Sequence, residues 1–396
     1  MVFPRRYQAI LEIHLARERQ MAFLSGPRQV GKSTVAKALG GRYLSWDRPE
    51  DRAILVQGPR KVAEAAGLDQ LVDEPHRLVL DEIHRFGGWR DLLKSVFDAY
   101  EPRVLATGSA RLDVFSHAGD ALVGRYFSYR MHPLSLGETT DPAYLETGLH
   151  RPPAEGQVGL EDLLRFSGFP EPLARGEASF HRRWVNARRS QLLREELRDL
   201  TSVREIDGVL GLADLVRSRV GGGAPHRGLA QDLAVSPDTV ARWLETLASL
   251  YHLFEVRPWF RNIARALRKQ PKYYLWDHSQ VPDPAARFEN LVACALKKTC
   301  DLWTDVGAGD FDLRWIRDRE GNEVDFVVVR DGDPWILVEA KMGARDLSGV
   351  LSEMAQKLAA PHAFQIVLDM PFVAADPFDQ TRPVVVPAKT FLSQLP

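Results

Sequence analysis

The nine residues GPRQVGKST, from Gly26 to Thr34, fit the spacing G-x-x-x-x-G-K-[ST] at Gly26, Gly31, Lys32 and Ser33. The apolar stretch MAFL precedes them and VAKAL follows, so the pattern predicts a strand entering a loop and a helix leaving it. Backbone N–H groups in such a loop cradle phosphate oxygens. The expected binding set is Gly26, Pro27, Arg28, Gln29, Val30, Gly31, Lys32, Ser33 and Thr34. Lys32 should reach the β- and γ-phosphates of ATP, the Ser33 hydroxyl should ligate Mg²⁺, and Thr34 should lie further along the helix. In RLVLDEIH a buried-strand pattern ends in two carboxylates. Asp81 would hold Mg²⁺, directly or through water, and Glu82 would orient and deprotonate the attacking water. A third strand, RVLATGSA, ends in small polar residues. Of these Ser109 is the first choice for sensing the γ-phosphate and Thr107 the second. Arg111 and Arg125 are candidates for an arginine that reaches the triphosphate of their own or a neighbouring subunit.

A second constellation lies near the other end. The helical pattern AARFENLVACALKK carries Glu289, the strand EVDFVVV carries Asp325, and the strand WILVEAK carries Glu339 and Lys341. Side chains alternate along a strand, so Glu339 and Lys341 share a face and Ala340 takes the other. If the neighbouring strand brings Asp325 beside them, Asp325 and Glu339 can share Mg²⁺ while Lys341 contacts the water or the phosphate. Glu289 would be a further ligand. The competing expectation is a nuclease-like fold kept for binding or assembly.

These residues need a scaffold to position them. Residues 1–145 alternate strands and helices, which implies a parallel sheet covered on both faces. The Pro- and Gly-rich connector DPAYLETGLHRPPAEGQ follows, then a helical stretch over 146–205 compatible with a lid. Within 206–262, GLAQDLAVSPDTVARWLETLASLYHLFEV reads as helix, turn, helix and wing strand. In that geometry Ser236, Asp238, Thr239 and Arg242 face outward toward DNA. Asp238 and Glu245 would repel phosphate, so a packing role competes. The segment from Arg257 to Lys272 has no acidic residue, and its basic residues, among them Arg261, Arg265 and Arg268, surround Trp259 and Phe260. That composition suits tracking of a nucleic-acid backbone. The basic run from His181 to Arg198 also contains Glu at helical spacing, as a solvated helix face does. Residues 263–396 form the last expected domain.

The 396 residues are 45% hydrophobic and 27% charged, which fits a folded chain of several domains and argues against global disorder. A net charge of −1 speaks against a histone-like binder of polyanions but leaves local patches open. Charges run through the first thirty residues, and no stretch approaches the roughly 18 apolar residues of a membrane span, so the expected location is cytoplasmic. Cys294 and Cys300, the only cysteines, support neither a disulfide framework nor a zinc site.

Taken with GRYFSYRMHPLSLGE, SGFPE and KQPKYYLWD, these segments make the chain resemble the prokaryotic AAA-type ATPases that carry a C-terminal domain of uncharacterised function with a restriction-endonuclease-like end. The resemblance implies an α/β fold: an AAA-type parallel sheet with a helical lid, then a winged helix and an α/β restriction-endonuclease-like domain. It implies Lys32 and Ser33 as nucleotide ligands, Asp81 and Glu82 as Mg²⁺ and water residues, and Arg125 as a γ-phosphate arginine. Ser167 departs from the family pattern, which has a second glycine before Gly168. The expected function is an ATP-driven machine that binds and remodels DNA, assembled as a homo-oligomeric ring, a hexamer included. The alternative is a nucleotide-gated regulator of a protein partner.

Overall fold

The computed structural model describes residues 3–108, 122–143, 145, 153–189, 197, 203–222, 226–260, 270–343 and 346–396. They divide into two compact units, Pro4–His132 and Pro133–Pro396, the second joined by Phe3.

The first unit opens with helix α1 (Arg6–Arg17) and then alternates: β1 (Met21–Ser25), α2 (Lys32–Ala38), β2 (Arg42–Ser45), α3 (Pro49–Leu55), α4 (Pro59–Ala66), β3 (Arg77–Asp81), α5 (Trp89–Tyr100), β4 (Arg103–Gly108) and β5 (Tyr126–Arg130). The five strands are all parallel, in the order β2-β3-β4-β1-β5. Every residue of β1 is buried, as a strand covered on both faces requires. Helix α5 buries Trp89, Leu92, Leu93, Val96 and Phe97, a stripe at helical spacing that joins the core around Phe23 and Leu80. Because β4 lies between β1 and β3, the carboxyl ends of three adjacent strands carry the glycine loop, Thr107 and Asp81. Ser25 is level with Gly108, and Leu80 with Ala106.

The second unit begins with α6 (Leu136–Thr140), α7 (Leu160–Phe166), α8 (Pro170–Arg175) and α9 (Ala178–Ala187). Three helices follow, α10 (Val203–Ser218), α11 (His226–Leu233) and α12 (Pro237–Ser249), then the antiparallel pair β6 (Leu253–Pro258) and β7 (Lys272–Leu275). A Cβ on Gly208 would overlap the Trp243 ring, so this glycine lets α10 close on α12. The long helix α13 (Pro284–Asp305) precedes β8 (Phe311–Arg317), β9 (Glu323–Arg330), β10 (Asp333–Lys341), α14 (Gly349–Leu358), β11 (His362–Val367), β12 (Val384–Pro387) and α15 (Ala388–Gln394).

Strand β6 pairs in parallel with β8, placing Arg257 opposite Arg314, so β6 belongs to a seven-stranded sheet in the order β12-β11-β10-β9-β8-β6-β7. One hydrophobic core runs from Leu134 through Leu163, Leu212 and Trp243 to Leu395. The stretches 146–205, 206–262 and 263–396 therefore share a core instead of closing separately. The first compact unit ends at His132. Glu138 is wholly buried and its charge needs a partner, which is Lys298 on α13, itself bonded to Ser135 Oγ at 3.0 Å.

Candidate functional site

Gly26 and Gly31 adopt φ 150° and 101°, a region that favours glycine, and a Cβ at Gly26 would overlap the Met131 carbonyl oxygen. The loop wraps tightly and delivers Lys32 as the first residue of α2. Lys32 is only 5% exposed, and its Nζ donates to Gly26 O and Pro27 O, each at 2.8 Å. Ser33 Oγ lies 3.1 and 3.0 Å from the two carboxylate oxygens of Asp81. Thr34 is one residue further into α2, and exposed. The Arg5 guanidinium bonds Val30 O and, at 2.6 Å, His132 O, tying the loop to the end of the unit.

Asp81 is buried and also accepts from Tyr43 Oη and Thr107 Oγ1, each at 2.5 Å. Burial, then the Asp81 hydrogen bond and charge, push the Tyr43 hydroxyl well above its ordinary pKa, so it remains a donor. Thr107 Oγ1 in turn accepts from Glu82 N at 3.2 Å. The structure thus brings Lys32, Ser33, Asp81, Glu82 and Thr107 together. Burial raises the Glu82 pKa, against the Lys32 charge and reinforced by Asp81. Hard oxygen donors from Ser33 and Asp81, set this closely, suit Mg²⁺.

Ser109 and Arg111 lie outside the described residues. Arg125 lies away from the loop of its own chain. Strand β5 runs parallel to β1 with Tyr126 opposite Met21, so Arg125 is at the strand's starting end, whereas the glycine loop leaves the finishing end, about 16 Å away for five residues. Its guanidinium bonds Asp98 at 2.8 and 3.0 Å. It cannot reach a triphosphate held by its own loop.

The second unit gathers the other carboxylates. The β9–β10 register sets Phe326 opposite Val338, which makes Asp325 and Glu339 cross-strand neighbours. Asp325 Oδ2 accepts from Ala340 N at 2.9 Å, and Lys341 Nζ lies 2.7 Å from Glu339 Oε1. Glu339 Oε2 is buried without a hydrogen-bond partner. Glu289, from α13, accepts from Tyr274 Oη at 2.7 Å and lies 4.0 Å from Lys272 Nζ, which pairs with Glu323 at 2.5 Å. A Cβ on Gly221, just after α10, would crowd the Glu289 carboxylate. Burial, then the Glu289 charge, raise the Asp325 pKa. Among the described residues no group of three or more His, Cys, Asp or Glu side chains is arranged to hold a metal ion.

Of the DNA-facing candidates, Ser236 Oγ caps α12 by accepting from Thr239 N at 3.1 Å and bonds Thr239 Oγ1 at 2.9 Å, while Arg242 pairs with Glu205. Asp238 is exposed beside them. Arg261, Arg265 and Arg268 lie outside the described residues. Sequence reading overlooked Arg5, Tyr43, His84, Lys272 and Tyr274 and ranked Thr107 second. Tyr274 and Lys272 alternate on β7, a signal that was available. Tyr43 is an ordinary strand residue until β2 pairs with β3.

Residues 18–140 match a family model described as an AAA domain, and residues 157–282 one described as a domain of unknown function (DUF8612). The chain is 23% identical over 287 residues to the uncharacterized protein Rv2008c of Mycobacterium tuberculosis and, equally, to the uncharacterized protein Mb2031c of Mycobacterium bovis. That stretch is 70% of this chain but 58% of each of those curated relatives. AMPPCP-bound DnaA from Aquifex aeolicus superposes loosely, at TM-score 0.30 and 14% identity over 62% of this chain and 88% of that one. The C. elegans protein PCH-2 does so at TM-score 0.25 and 13% identity, over 60% and 66%. The chain carries an AAA domain followed by a DUF8612 segment.

Proposed function

We propose that this AAA-domain protein hydrolyses ATP to drive work on DNA, by translocation, unwinding or branch migration. The observation that carries the reading is the meeting of Ser33, Asp81 and Thr107 at the ends of three neighbouring strands, with Glu82 one residue beyond. Ser33 and Asp81 would hold Mg²⁺, which when bound neutralises charge on the β- and γ-phosphates. Lys32 and the loop amides bind and orient the triphosphate. Glu82 takes a proton from the attacking water, and Thr107 fixes both Asp81 and the Glu82 backbone. Support for DNA comes from the order of three helices and a hairpin, α10 to β7, which is that of a winged helix, and from the basic segment after Arg257. A ring of identical subunits, a hexamer included, would let a neighbouring copy supply an arginine to the triphosphate. A cytoplasmic location goes with this reading. No described helix is long and apolar enough to cross a membrane.

ATP turnover measured against single-stranded, duplex, forked and four-way DNA, with mass measurement with and without nucleotide, tests the reading. At least one DNA form should stimulate turnover. Lys32→Ala should abolish it, and Glu82→Gln should still bind nucleotide. Equal rates with and without every DNA form would sink the DNA reading. Two further readings rest on observations of their own. Ser236 and Thr239 bond each other and Arg242 pairs with Glu205 of the same chain, which favours a packing role for this face and a nucleotide-gated regulator of another protein, for which tight ATP binding, very slow turnover and no gel shift are expected. The pairing of Asp325 with Glu339 and Lys341 supports a Mg²⁺-dependent nuclease in the second unit. Cutting should then need a divalent ion and disappear in Asp325→Ala and Lys341→Ala.

A further inference from the structure

The turn after Asp81 brings one more polar group to the hydrolytic edge. Glu82 adopts φ 54°, and Ile83–Arg85 coil into a single 3-10 turn whose Ile83 is fully buried. The Glu82 N to Thr107 Oγ1 bond and a bond from Phe86 N to Ile83 O, 2.9 Å, hold this turn. It sets His84 Nδ1 3.8 Å from Glu82 Oε2, with the imidazole only 9% exposed. Buried as it is, Nδ1 has no hydrogen-bond partner. A buried ring nitrogen left in that state has lost its water without gaining a partner. A closure of roughly 1 Å would bring it into hydrogen-bonding range of the carboxylate.

The ring's charge state fits that closure. Burial, then the Lys32, Arg85 and Arg28 charges, push its pKa down to about 4, so the imidazole is neutral at physiological pH. A neutral donor can aim a carboxylate while leaving it basic. A cation in the same place would pair with the carboxylate and weaken it as a proton acceptor.

We propose that His84 is a positioning residue for hydrolysis, its Nδ1–H holding the Glu82 carboxylate where it meets the attacking water. The water oxygen bonds the γ-phosphorus, its proton passes to Glu82, and ADP leaves with the electrons of the broken P–O bond. His84 touches neither nucleotide nor water, and it acts through Glu82 alone. This inference rests on the ATPase reading above.

The experiment compares the full-length wild type with His84→Ala, His84→Asn and His84→Arg. It reads kcat for ATP, affinity for a fluorescent ATP analogue, and Tm. His84→Ala should lower kcat by roughly 10- to 100-fold, the scale of a misplaced catalytic group, with nucleotide affinity and Tm near wild type. His84→Asn, whose amide N–H can stand in for Nδ1–H, should recover most of the rate, and His84→Arg should not. An alanine variant within twofold of wild type, or an asparagine variant as slow as alanine, would overturn the inference alone. A wild-type rate no higher than that of Lys32→Ala would overturn the inference and the ATPase reading together.

Discussion

Asp325 is a carboxylate whose surroundings oppose its charge. Burial comes first and the Glu289 carboxylate second, and together they outweigh the Ala340 N–H and the two lysines. Its folded pKa therefore lies above the unfolded value, so ionising it costs the folded protein more than the unfolded chain. The stability it contributes is full below the unfolded pKa and is lost as pH rises through the folded one. Asp325→Asn should raise Tm, and by more at about pH 8 than at about pH 4, where both residues are neutral when folded. Thermal melts at the two pH values in a metal-free buffer check this, and an equal shift at both would contradict it. Glu82 obeys the same sign in catalysis. Its pKa is raised by burial, so the acid limb of kcat should fall above the usual glutamate value of about 4.3. A limb at or below that value would remove Glu82 from the role of base. The carboxylates themselves were legible because a strand's period of two places them on a known face. The alternation of Lys272 and Tyr274 is legible too, but that both meet Glu289 is decided only by the packing of α13 against β7.

At the scale of elements, two segments that look merely family-like in sequence have physical reasons. The stretch from Pro133 to Glu138 is bound to α13, where Lys298 Nζ contacts Pro133 O, Ser135 Oγ and the fully buried Glu138 carboxylate. Removing one partner leaves a buried charge uncompensated, so Lys298→Ala should destabilise the protein by about 3–5 kcal/mol, while Glu138→Leu with Lys298→Met should recover much of it. Denaturant midpoints of the single and double variants decide this. In SGFPE, Ser167 is held at φ 72° and ψ 171°, backbone that only glycine adopts without strain. Ser167→Gly should stabilise the protein by about 1 kcal/mol, whereas Ser167→Ala should bring no gain. A lower Tm for the glycine variant would disprove the strain. The departure at Ser167 is readable in the sequence. Its cost is not, since the cost is a dihedral angle imposed by α7 and the close passage of Gly168 beside Leu134.

At the scale of the whole molecule, the single core from Leu134 to Leu395 argues that the second unit folds as one piece. A fragment covering 206–262 should be unfolded by circular dichroism, because β6 would lose β7 and β8, while 133–396 should show a cooperative melt. A folded 206–262 fragment would restore the winged helix as an independent domain. By itself the sequence determined the glycine loop, the Asp81 and Glu82 pair, the strand and helix alternation, and the alternation of Glu339 and Lys341. All of these are local patterns in which the spacing along the chain already sets which way a side chain points. Only the tertiary structure decided that β4 enters between β1 and β3 and so gives Asp81 the Thr107 hydroxyl. It also decided that Arg125 stands at the end of β5 away from the glycine loop, that His84 faces Glu82, and that β6 joins the C-terminal sheet. Each of these depends on which distant segments become neighbours, and that choice belongs to the burial of apolar surface and the pairing of strands over the whole chain.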